Sequence, residues 1–147
     1  MNEKQKKPLA IISGGSGYIG GAIVDELEHG GWQVVVLSRS ENKNRKSSVY
    51  KCDITNEDQI AKTITSIVSS FGAIHACIHA AAAPLYRKSL LDTPLDSFTE
   101  SIETAVRGGF LLAKSAAPHM ADGACFIGIT RWRYFCAERL AGKICCL

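Results

Sequence analysis

The run from Leu9 to Ile23, LAIISGGSGYIGGAI, constrains the fold of this chain more than any other stretch. Leu9, Ala10, Ile11 and Ile12 have the length and apolarity of a buried strand. The run breaks at Ser13 into a turn where Gly14, Gly17 and Gly20 recur at every third position. Each glycine has its own task in such a turn: Gly14 reverses the chain, Gly17 lets the backbone come close to a pyrophosphate, and Gly20 lets the next helix pack on the strand. That helix is predicted over Tyr18 to His29, with Ile19, Ile23 and Leu27 on its apolar side and Gly30 and Gly31 as its stop. Its free N–H groups and positive end would point at phosphates. Glycines at this spacing also occur in ordinary surface turns, so the strand before them and the helix after them carry the argument. The stretch predicts a dinucleotide site contacted by Gly14, Ser16, Gly17, Tyr18, Ile19 and Gly20.

One strand–turn–helix unit needs others beside it. A chain of 147 residues with 46% hydrophobic content fits one domain with a substantial core. Its longest apolar runs fall well short of the roughly 20 residues that span a bilayer. The N-terminal MNEKQKKPL is charged and lacks the apolar stretch of a signal peptide. A cytoplasmic protein with no membrane partner is expected. The net charge of +3 is not spread over a face: residues 1–130 balance, and the excess comes from Arg131, Arg133, Arg139 and Lys143 against Glu138. That distribution gives no nucleic-acid surface. Of the six cysteines, Cys77 and Cys125 lie in apolar strand-like runs and are expected to behave as small hydrophobes, and no pair has Cys-x-x-Cys spacing. Neither a metal site nor a disulfide framework is expected.

Further along, QVVVL (Gln33 to Leu37) reads as a second strand buried on both faces. The residues at its end select the cofactor. An acidic residue there would bind the ribose 2′-OH of NAD, whereas Ser38, Arg39 and Ser40 suit the 2′-phosphate of NADP. NADP is therefore expected over NAD, while Lys43, Arg45 and Lys46 read as a solvated loop. A short third strand, Val49 to Cys52, leads to Asp53, Ile54 and Thr55. Asp53 could accept from the adenine amino group or simply help end the strand. A helix over Glu57 to Phe71 follows, capped by Thr55 or Asn56, with Ile60, Ile64, Ile67 and Val68 toward the core.

Ile74 to His79 reads as a fourth strand, and Ala80, Ala81, Ala82, Ala83 and Pro84 leave space at its carboxyl end for the cofactor's ribose and nicotinamide. His79 reads as a packed, hydrogen-bonded residue rather than a catalytic one. A long helix is predicted from Leu95 to His119, with Phe98, Ile102, Val106, Phe110 and Leu111 on one side. Gly108 and Gly109 weaken it locally and permit close packing. Ala124 to Ile129 reads as a fifth strand. From Thr130 on the periodicity fails.

Together these residues resemble the N-terminal, cofactor-binding part of the short-chain dehydrogenase/reductase family over about residues 8–130. Ser13 to Gly20 is similar to the family's glycine turn, with Tyr18 at the usual middle glycine and a Gly-x-x-Gly-x-x-Gly spacing nearer that of extended and atypical members. Ser38 and Arg39 resemble the NADP-type strand end, and Asp53 with Ile54 resembles the adenine-contacting pair. His79, Ala80, Ala81 and Ala82 occupy the place of Asn-Asn-Ala-Gly. Arg107 to Met120 resembles the helix before the catalytic strand.

The resemblance implies hydride transfer to or from a small carbonyl or alcohol. It also implies a tyrosine acid/base in Tyr-x-x-x-Lys, a serine and often an asparagine. Here the residues four positions after the tyrosines are Ala22, Ile54, Leu90 and Glu138. The asparagine position is Ala105, and the serine position falls near Ile129 and Thr130. No catalytic residue is therefore assigned.

Residues 131–147 form an atypical basic tail with Cys136, Cys145 and Cys146. Two origins fit it: a truncated or frame-shifted gene, and a natural short variant with a divergent end. The expected fold is α/β, a Rossmann-like doubly wound parallel sheet in strand order 3-2-1-4-5, incomplete on its C-terminal side. Residues 1–130 are its NAD(P)-binding domain and 131–147 its tail. Family members often pair through the long helix, so self-association or aggregation through an uncovered strand 5 and the Phe98, Val106, Phe110 side is expected. Two functions follow: the cofactor half of an NADP-dependent oxidoreductase, or a catalytically silent nucleotide-binding module, redox sensor or truncated gene product.

Overall fold

The computed structural model describes residues 7–40, 47–83 and 90–129. Lys43, Arg45, Lys46, Pro84, Thr130, Tyr134 and the 131–147 tail lie outside these. Five parallel strands form one sheet in the order β3-β2-β1-β4-β5. They are β1 (Leu9–Ser13), β2 (Gln33–Ser38), β3 (Ser48–Lys51), β4 (Ile74–His79) and β5 (Met120–Gly128). The crossovers run through α1 (Tyr18–His29) and α2 (Glu57–Phe71), and then through α3 (Leu95–Ile102) and α4 (Gly108–Ala116). The sheet reverses its winding between β1 and β4, so their carboxyl ends open a crevice.

Alternate residues of β1 and β2 divide the core into two layers. Leu9, Ile11, Val35 and Leu37 meet Ile60, Ile64 and Ile67 of α2 and Leu111, Leu112 and Ala116 of α4. Ile12, Val34 and Val36 meet Val24 of α1, with Ile23, Leu27 and Trp32 alongside. Both layers end at β5, where Phe126 and Ile127 are exposed.

Several expectations shift by a residue for identifiable reasons. Ser13 belongs to β1, aligned with Leu37 and His79. β3 starts at Ser48 and ends at Lys51; the Cys52 N–H still donates to the Ser38 carbonyl at 2.8 Å, but the chain then turns away. Asn56, not Thr55, caps α2 through its side chain, which accepts from the Gln59 N–H at 3.0 Å.

Larger corrections fall at the C-terminal side. The helix predicted over Leu95 to His119 is not one regular α-helix. A π-turn over Glu103–Arg107 separates α3 from α4, and a 3-10 turn over Ala117–His119 ends it. β5 begins at Met120 rather than Ala124: Met120 pairs with Ile74, the chain bulges through Gly123 (φ +77°), and regular pairing resumes at Cys125 opposite Ala76. Cys77 is buried as expected, whereas Cys125 is exposed. Burial pushes the Cys77 thiol up to about 12, so it is a neutral packing group. No helix among the described residues is long and apolar enough to cross a membrane.

Candidate functional site

The glycine turn is built by contacts that exclude side chains. Gly14 has φ +77°, and a Cβ there would stand 2.5 Å from the Ala81 nitrogen and 2.6 Å from the Ala80 carbonyl carbon. Both the conformation and the space therefore require glycine. A Cβ at Gly20 would run into the Gly14 carbonyl, so its task is to bring the first turn of α1 onto the turn itself rather than onto the strand body. The Gly17 N–H closes the turn on the Gly14 carbonyl at 3.0 Å. Gly17 is also the N-cap of α1; it offers no capping side chain, and the first helical turn holds no acidic residue. The positive end of α1 thus faces the crevice with no acidic residue in its own first turn.

Around this turn lies a cavity of about 630 Å³, within the range of small-molecule and cofactor sites. All thirteen residues picked from the sequence line it: Gly14, Ser16, Gly17, Tyr18, Ile19 and Gly20 from the turn, Ser38 and Arg39 after β2, Asp53 and Ile54 after β3, and Ala80, Ala81 and Ala82 after β4. The sequence reading missed Thr99 and Glu100 of α3 and Glu103 and Thr104 of the π-turn, which form a further wall. On an amphipathic helix they read as a solvated face, and only the tertiary placement brings them to the cavity. Cys52 also reaches it; burial raises its thiol above the usual range. Tyr18 stands on the rim, 98% exposed.

Asp53 is held by Thr55. The Thr55 N–H donates to Oδ1 at 2.9 Å and its hydroxyl at 2.7 Å. These two bonds, with a smaller contribution from the positive charge of Arg39, hold the Asp53 carboxyl below the usual carboxylate range. The strand-ending role weighed for Asp53 is therefore present in the geometry. Arg39 lines the same cavity as Asp53.

His79 has no exposed surface to act on a ligand. Its Nδ1 is 2.8 Å from the Ser13 Oγ and its Nε2 is 3.1 Å from the Ala105 carbonyl oxygen. Burial lowers its basicity, and the neighbouring carbonyls of Ala105 and Thr104 oppose this only in part. Among the described residues no group of His, Cys, Asp or Glu could hold a metal ion.

The cavity has the chemistry to take an extended anionic molecule. A backbone cradle that a Cβ at Gly14 or Gly20 would fill and a helix end with no acidic residue in its first turn suit a diphosphate, and Arg39 lines the cavity for a further anion. Fold and site define a dinucleotide-binding domain of the doubly wound class.

The comparisons narrow this. The family model described as "Enoyl-(Acyl carrier protein) reductase" matches residues 15–141. The Short-chain dehydrogenase reductase 3a of Arabidopsis thaliana is 28% identical over 145 residues, covering 92% of this chain and 54% of that protein. The ligand-free aldohexose dehydrogenase of Thermoplasma acidophilum superposes with a TM-score of 0.71 at 27% identity, over 78% of this chain and 45% of that one. ElxO with NADP bound gives 0.72 at 27% identity, over 82% and 54%. The chain belongs to the short-chain dehydrogenase/reductase family, whose members use nicotinamide dinucleotides. It spans about half the length of the relatives it matches.

Proposed function

We propose that residues 1–130 form the NADP(H)-binding unit of a cytoplasmic short-chain oxidoreductase that moves hydride to or from a carbonyl or alcohol. In this reading Gly14, Ser16, Gly17, Tyr18, Ile19 and Gly20 hold the diphosphate. Arg39 and Ser38 hold the 2′-phosphate, Asp53 and Ile54 flank the adenine, and Ala80, Ala81 and Ala82 make room for the ribose and nicotinamide. The carrying observation is the convergence of the glycine cradle and Arg39 on one cavity with no acidic residue at the end of β2. The NADP in ElxO supports the phosphate-bearing cofactor by likeness.

Calorimetric titration with NADPH and NADH tests this. NADPH is expected to bind more tightly, and Arg39→Asp to weaken NADPH by about 1.5–3 kcal/mol, the worth of a charge-assisted phosphate contact, while sparing NADH. Equal binding of both cofactors before and after the change would refute it.

A silent nucleotide-binding module is the second reading, and one observation favours it: no tyrosine in the sequence has a lysine four residues on. Without that acid, worth roughly 100- to 10,000-fold in such reactions, the chain alone should bind cofactor without turning it over. Sustained NADPH oxidation with any aldehyde, ketone or quinone in a panel would overturn that expectation.

A further inference from the structure

The wall formed by α3 and the π-turn and the floor formed by the ends of β1 and β4 come from distant parts of the sequence. One side chain joins them. His79 ends β4, and its ring lies between Ser13 at the end of β1 and the carbonyl of Ala105 inside the π-turn. Its backbone is fastened as well: the Ile129 N–H donates to the His79 carbonyl at 2.8 Å, and the Ala80 N–H donates to the Ser13 carbonyl at 2.9 Å. The ring is 1% exposed and the Ser13 side chain fully buried. Gly109 packs on the ring so closely that a Cβ there would stand 3.0 Å from Cδ2.

The partners dictate the tautomer. A carbonyl oxygen can only accept, so the proton must be on Nε2; Nδ1 is then an acceptor, and the Ser13 hydroxyl donates to it. The helix meets the ring at its one π-turn, a form that is rare in helices and concentrated at functional sites. Glu103 and Thr104 of that turn line the cavity on one side of Ala105, while Ala80 and Ala81 line it directly after His79.

We propose that His79, with its proton on Nε2, is a positioning residue that clamps the π-turn wall of the cavity to the floor made by β1 and β4. The clamp fixes how far Glu103 and Thr104 stand from the glycine turn. Its consequence for ligands rests on the dinucleotide reading above; the clamp itself does not.

Two substitutions separate the clamp from simple packing. A glutamine carries an N–H at about the reach of Nε2 and can keep the bond to Ala105. An asparagine carries its acceptor at about the reach of Nδ1 and can keep only the bond to Ser13. Nitrogen-15 NMR of the full chain should show the wild-type ring as the Nε2–H tautomer. Amide hydrogen exchange should show residues 103–108 opening about tenfold more often in His79→Asn, the effect of one net hydrogen bond, and nearly as in wild type in His79→Gln. α2 should be unchanged in both. If either variant fails to fold, Ser13→Ala serves instead: it frees the ring on the β1 side while the Ala105 carbonyl still holds the proton on Nε2, so the Nε2–H tautomer should persist with faster opening of 103–108. An Nδ1–H tautomer in the wild type, or equal protection of 103–108 in every folded variant, would overturn the clamp. These readouts need no cofactor, so failure of NADPH to bind would defeat the dinucleotide reading and leave the clamp standing. With NADPH present, His79→Asn should bind it more weakly and His79→Gln as well as wild type.

Discussion

Replacing Gly14 by alanine attacks the turn in two separable ways. At φ +77° an alanine adopts a left-handed conformation that costs roughly 1–2 kcal/mol. Its Cβ would also lie 2.5 Å from the Ala81 nitrogen and 2.6 Å from both the Ala80 carbonyl carbon and the Ala81 Cα. All three are backbone atoms at the end of β4, which cannot swing aside as a flexible side chain would. Forcing extra volume into a packed region costs about 1–3 kcal/mol. The combined loss is therefore about 2–5 kcal/mol, a large share of the typical stability of a domain this size. Gly31 supplies the control, because it has φ +81° and nothing within 4 Å of a Cβ. Gly31→Ala should lose only the conformational part. Urea unfolding of the two variants measures the difference, which is the cost of the approach between β1 and β4. If Gly14→Ala were no less stable than Gly31→Ala, the close-contact reasoning would fail.

Stability should fall as the pH drops from neutral. His79 is less basic when folded than its ordinary value of 6.5, so the unfolded chain binds the proton more readily and the native state loses ground as pH falls through and below 6.5. Melting temperatures from pH 8 to pH 5 would show it, with a shallower slope in His79→Gln. At lower pH a second loss is expected as Asp53, held ionised by Thr55, takes up its proton. Asn56→Ala removes the cap of α2 and should cost about 1 kcal/mol in denaturant titrations. Phe98 of α3, Val106 of the π-turn and Phe110 of α4 are exposed apolar side chains, with Phe110 63% exposed. Phe110→Ser should change unfolding free energy by no more than about 0.5 kcal/mol, as at other surface sites, while reducing self-association seen by light scattering.

The elements most legible in the sequence carry their own punctuation. α1, α2 and β4 have the predicted bounds because Gly30 marks the end of α1, Asn56 the start of α2, and Ile74, Ala76, Cys77 and Ile78 an apolar strand interrupted by His75. The strand order followed from the alternation of strands and helices together with the glycine turn. The π-turn was not legible, because Phe98, Ile102, Val106 and Phe110 continue a four-residue spacing straight through it. The expected weak point at Gly108 and Gly109 lies directly after it, where Gly108 settles on Ile54, a Cβ there standing 2.9 Å from Cδ1, and Gly109 settles on His79. The same limit hid Glu100 and Glu103 as cavity residues. The exposure of Cys125 was hidden too, since an apolar run says that a strand can be buried and nothing about whether a layer covers it. His79 was legible as a packed residue; its two partners, 66 and 26 residues away, were not.

Mapping amide chemical shifts of the full chain during an NADPH titration tests the central claim most directly. Saturable shifts are expected at Gly14, Gly17 and Gly20, at Ser38 and Arg39, at Asp53 and Ile54, and at Ala80, Ala81 and Ala82, with Gly31 and the far ends of α2 and α4 unmoved. Absence of saturable shifts, or shifts confined to the exposed α3 and α4 face, would contradict it.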